Sequence, residues 1–209
     1  MKFSKRLAAL ALVSMIAALP AHAQFGSLSG ALGGGGGSKA ATGDPAKIEQ
    51  DLKSIIETTS IAMAGFADAL GMKEQAAKFN DNATCMKAGS CGMSDGVNVL
   101  TSLAPSVLSK ADEMQSAGKK LDAEAGAKAS KALLPAVKAF PLWKQVADGA
   151  QNIDRSAAMR FMGLVQAAPK VPGAAKGTID VVHGGVKFLT FSGVDTSDLQ
   201  REVTSSMKF

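Results

Sequence analysis

Tyrosine is absent from this 209-residue chain, tryptophan occurs once, and His183 is the one histidine beyond the first 23 residues. A β-barrel or sandwich draws on Val, Ile, Thr and aromatics throughout its strands, so this composition argues against both. An outer-membrane barrel would also need aromatic girdles. A single histidine cannot build a common zinc set without several carboxylates, and no His-Glu-x-x-His spacing exists. Also missing are a Gly-x-Gly-x-x-Gly turn after a strand, a phosphate loop ending in Gly-Lys-Ser/Thr, and a Gly-x-Ser-x-Gly nucleophile turn. No cluster of Lys and Arg interleaves with aromatics, so no nucleic-acid partner is expected. Beyond residue 23 no apolar run is long enough to span a bilayer, because Lys138, Lys144, Lys170, Lys176 and Lys187 interrupt every candidate. No cofactor is expected.

What is present begins at the N-terminus. Lys2, Lys5 and Arg6 precede an apolar run from Leu7 to Leu19. Pro20 breaks the run, and Ala21-His22-Ala23 places small residues where a signal peptidase reads. This three-part pattern is that of a secretory signal peptide over residues 1–23, so the mature chain is expected to start at Gln24, outside the cytoplasm. The periplasm is the expected compartment, with full secretion the variant. The whole chain has 23 basic and 18 acidic residues, a net charge of +5. Three of the basic residues leave with the signal, and the mature chain keeps about +2 of scattered, solvated charge.

Residues 24–43, with five glycines at Gly33–Gly37, read as a flexible linker. Phe25, Leu28 and Leu32 within it fall at roughly helical spacing, the one hint of docking there. The fold is expected over residues 44–209. Asp44 can cap a helix and Pro45 suits its first position. Ile48, Leu52, Ile55, Ile56, Met63, Phe66 and Leu70 then form one apolar stripe ending near Gly71. A short helix from Lys73 to about Phe79 follows, and residues 80–96 read as a polar loop holding both cysteines. Val97, Leu100, Leu103, Val107, Leu108 and Met114 mark another helix, which Pro105 should kink or restart. Residues 118–126 read as an exposed helix or a turn. A third long region carries Leu133 to Val146, interrupted by Pro135 and Pro141. Asn152 or Asp154 opens a helix with Met159, Phe161, Met162, Leu164 and Val165, stopped by Pro169 and Pro172. Residues 178–191 fit helix or strand. Helix is the reading, since a lone strand would have no partner. Asp195 can cap a last helix to about Met207. The expected fold is all-α, a single-domain bundle of about six helices. Gly173–Gly177 and Gly163–Ala167, each a pair of small residues four apart, then serve close helix packing within it.

Few residues suggest chemistry. Cys85 and Cys91 are the only cysteines, and in an exported chain a disulfide is their expected state, pinning a local loop. The alternative is a soft-metal site, in which Cys85, Met86, Cys91 and Met93 would hold Cu(I), with Met72 not far off in sequence. Asp180 lies three residues before His183, the spacing of an oriented base, with Thr190 or Ser192 as nucleophile. A structural histidine is the plainer reading. Asn80–Asn82 and Asp95–Asn98 carry calcium-ligand residue types without the calcium-loop pattern and read as turns. Asn82-Ala83-Thr84 is formally a glycosylation acceptor.

The expectation is therefore an exported, non-enzymatic protein of the cell envelope that acts by binding. Its partner would be an apolar small molecule between helices or another envelope protein. Phe140, Trp143, Met159 and Met162 are the residues expected to line a groove. Copper handling and a hydrolase-like site at Asp180 and His183 are the rival readings.

Overall fold

The computed structural model describes residues 44–151 and 159–206. The signal segment, the glycine-rich stretch 24–43 and the expected helix start at Asn152 or Asp154 lie outside them. The described residues form an all-α bundle with six helices of twelve residues or more and two shorter ones. These are α1 (Pro45–Ala69), α2 (Lys73–Ala88), α3 (Met93–Ser116), α4 (Ala123–Lys138), α5 (Phe140–Gln151), α6 (Met162–Ala167), α7 (Val171–Phe191) and α8 (Ser197–Ser206). A 3-10 turn, Ala168–Lys170, joins α6 to α7.

α1 is the axis of the bundle. Asp44 accepts a hydrogen bond from the Ala46 amide at 3.0 Å, and Pro45 opens the helix, as its fixed φ suits. The whole stripe from Ile48 to Leu70 is buried. Thr58, Thr59 and Ser60 are buried too, because α2, α3, α4 and α5 all pack on this helix. Against that axis, α3 pairs with α7, and α4 carries α7 and α8 on its remaining surface.

Four helices stop in the same way. Gly71, Gly89, Gly118 and Gly193 have φ between 66° and 83°, a region only glycine enters freely. Each places the next amide on a carbonyl one turn back, as Met72 does to Ala67 and Val194 to Leu189. Gly71 ends α1, as its place after the apolar stripe predicts.

Several expectations about boundaries need correction. Residues 80–88 are not a loop; α2 continues through Cys85 to Ala88. Ala76, Phe79, Asn82, Ala83 and Met86 recur at helical spacing and are all buried, so packing outweighs the poor helix propensity of Asn, Asp and Thr. Asn80–Asn82 and Asp95–Asn98 therefore sit in helices rather than turns. Pro135 lies within α4 and does not interrupt it. Pro172 does not end a helix but occupies the first turn of α7, where a missing amide hydrogen costs nothing. Pro105 lies within a single unbroken α3. Of residues 118–126, those to 122 lie outside any helix and 123–126 begin α4, and Asp122 caps α4 by accepting from the Ala125 amide at 2.7 Å. Residues 178–191 are helical, as read.

Small residues set how closely the helices approach. A Cβ on Gly65 would stand 2.6 Å from the Ala132 Cβ, and one on Gly185 would stand 2.7 Å from a Leu133 methyl. The Gly173–Gly177 pair faces Thr101 and Ala104 of α3. Among the described residues, glycine and alanine thus let neighbouring helices approach closely.

Candidate functional sites

The four residues expected to line a groove part company. Phe140 opens α5 directly after Ala139, the single residue that separates it from α4, and Trp143 follows one turn later. Both are core side chains, 3% and 1% exposed. The Trp143 Nε1 has no hydrogen-bond partner, and neither does the buried Thr59 hydroxyl. Met159 and Met162 lie on the outside, 84% and 58% exposed. Val165 joins them at 39%. α6 explains the division. Its inward positions, Leu164 and Ala167, are fully buried, and Gly163 faces the Met93 methyl. Met162 and Val165 take the opposite positions, three residues apart and so on one face. Beyond the helix, the Lys170 ammonium donates to Ser94 Oγ at 2.7 Å, fixing this stretch to the start of α3.

Cys85 and Cys91 form the expected disulfide, with Cα atoms 5.5 Å apart. It pins the short loop between α2 and α3, as the sequence suggested. It ties the last turn of α2 to Cys91, two residues before Met93 opens α3. Met86 is buried at this corner, with its Sδ 3.6 Å from Cys91 Sγ. Gly96 makes room for it, since a Cβ there would stand 2.7 Å from the Met86 sulfur. Met93 is separate, its methyl turned toward Gly163 of α6. Three of the four candidate sulfur ligands thus share one corner. Asn82 lies deeper along α2 and donates to Ser60 Oγ at 2.9 Å and to the Gly96 carbonyl at 3.1 Å. Its amide is buried and engaged, which removes it as a surface glycosylation acceptor in the folded chain.

Asp180 and His183 are on neighbouring turns of α7, but the carboxylate is paired with Lys176 and not with the imidazole. His183 is exposed, on the rim of an open hollow shared with Val186, Lys187, Thr190, Gln200 and Thr204. The hydroxyls nearby are engaged. Thr190 donates to the Val186 carbonyl and lies 3.0 Å from the Thr196 hydroxyl, and Ser192 Oγ accepts from the Leu121 amide at 3.3 Å. Carboxyls whose acidity is displaced lie elsewhere and serve helices. Lys78 holds Glu74 below the ordinary carboxylate range by hydrogen bond and charge. The Ser197 hydroxyl, then its amide, do the same for Asp195 at the start of α8.

Sequence reasoning missed Val165 as a surface residue. For Val165 a signal existed: Leu164 and Ala167 are three apart and so claim the inward face of α6. No family model, curated protein or solved structure matches this chain.

Proposed function

We propose that this is an exported, non-enzymatic protein of the cell envelope that works by binding another envelope protein. The observation that carries this reading is the division at α5 and α6. Phe140 and Trp143 are consumed by the core, whereas Met159, Met162 and Val165 are each exposed, the last two on one face of α6. Of the two partners considered from sequence, this favours a protein over an apolar molecule held between helices. Methionine suits such a surface, because its unbranched thioether adapts to irregular partners. Export rests on the signal pattern of residues 1–23, and the disulfide accords with an oxidising compartment. The non-enzymatic part rests on Asp180, Thr190 and Ser192, each engaged by a group other than His183.

A photo-reactive amino acid at position 162, in cells, tests the surface. The expected outcome is a discrete protein cross-link from position 162 and none from position 119, an exposed site in the turn after α3. Equal labelling from both positions, or none from 162, would refute the assignment of this face.

A further inference from the structure

We propose that the dithiol form of this chain binds one Cu(I) ion at the α2–α3 corner through Cys85 Sγ, Cys91 Sγ and Met86 Sδ. This goes beyond the protein-binding role and does not depend on it. Two thiolates and a thioether form a soft donor set, the kind that selects Cu(I). A metal–sulfur distance of about 2.3 Å puts two sulfurs of one site about 4 Å apart. Met86 Sδ and Cys91 Sγ, at 3.6 Å, stand close to that separation already. The Cα atoms of Cys85 and Cys91 are 5.5 Å apart, so once the sulfur–sulfur bond opens, rotation of two short side chains brings both sulfurs into range.

The surroundings suit the ion. Met86 is buried with its sulfur against the bare backbone of Gly96, so its thioether is held in place rather than recruited from solvent. Two thiolates and one univalent cation leave a single negative charge. Cys91 precedes the N-terminus of the 24-residue α3, whose dipole favours that charge. The Ser90 hydroxyl lies 3.4 Å from Cys85 Sγ and can donate to it. Met93 is outside the set, because its methyl packs on Gly163.

The chemistry balances with a dithiol reductant. It supplies two electrons and two protons, becomes a disulfide, and leaves Cys85 and Cys91 as thiols. Cu(I) then displaces both thiol protons to solvent.

The test uses the protein recovered from its own compartment, reduced without oxygen by a phosphine, desalted, and titrated with Cu(I) against a chromogenic Cu(I) chelator. Reduced protein is expected to withhold one Cu(I) per chain, and oxidised protein none. Met86→Leu conserves volume and should weaken binding by at least about tenfold, the loss seen when even outer partners of a metal site are removed. Met93→Leu should leave it unchanged. No withheld copper, or equal affinity in Met86→Leu, would overturn the site. Circular dichroism of the reduced protein must show the helices intact; copper held only by an unfolded chain would overturn it as well.

Discussion

Gly65 and Asn82 carry structural weight that their size and polarity conceal. The neighbour of Gly65 is the Ala132 Cβ, which cannot swing aside, so an added methyl must push α1 and α4 apart. Gly65→Ala should therefore lower stability by about 1–3 kcal/mol despite its better helix propensity. Gly173→Ala, whose Cβ would meet Thr101 at an ordinary 3.8 Å, should instead gain ~0.5 kcal/mol. Thermal unfolding followed by the buried Trp143 would separate the two by several degrees, and equal midpoints would refute the close-packing account. Asn82 is the polar counterpart. Asn82→Ala strands the Ser60 hydroxyl in the core and should cost about 1–3 kcal/mol. Denaturant unfolding measures it, and a loss near zero would mean that water replaces the amide.

At the scale of elements, the Cys85–Cys91 bridge closes a very short loop between α2 and α3. Removing it in a Cys85→Ser, Cys91→Ser variant should cost about 2 kcal/mol, mainly by freeing the unfolded chain, with helix content unchanged in circular dichroism. α8 offers a pH test. Asp195 has its acidity strengthened in the folded chain, so its contribution is complete above the unfolded value of about 4 and is lost as pH falls through its lower folded value. Amides at the start of α8 should lose exchange protection in acid below about pH 4 and show no such loss between pH 5 and 8. Loss at neutral pH would contradict that capping role.

The helices were legible where caps and stripes agree. Asp44-Pro45, the stripe to Leu70, and Gly71 delimit α1 as the sequence suggests. The far half of α2 was not legible, because Asn80, Asp81 and Asn82 speak for a turn locally. Only burial against α1 reveals that Asn82 is a core residue with partners on two other helices. Pro172 misled in a related way, since proline marks both the end of one helix and the first turn of the next. The candidate site was half legible. Composition and spacing nominated Phe140, Trp143, Met159 and Met162 together, and only the Leu164–Ala167 spacing hinted that Met162 faces the other way. The Cys85–Cys91 pairing followed from there being two cysteines, and the soft-metal alternative already grouped Met86 with them; that Met93 stands apart needed the fold itself.

At the scale of the whole molecule, a bundle built on close glycine and alanine contacts leaves few large side chains uncovered. Among the described residues those are Ile61, Met159, Met162 and Val165, three of them within seven residues of one another. A core that takes up Phe140 and Trp143 offers no room for a groove at those two residues, so the outward methionines are where association is expected. The central claim is that the exported chain acts by binding a protein there. Native mass spectrometry of the protein recovered gently from its own compartment tests this most directly. The account predicts a chain beginning at Gln24, joined to a second protein, with the complex lost in Met159→Asp, Met162→Asp. A bare chain, or one carrying only a small organic mass that departs on denaturation, would contradict it.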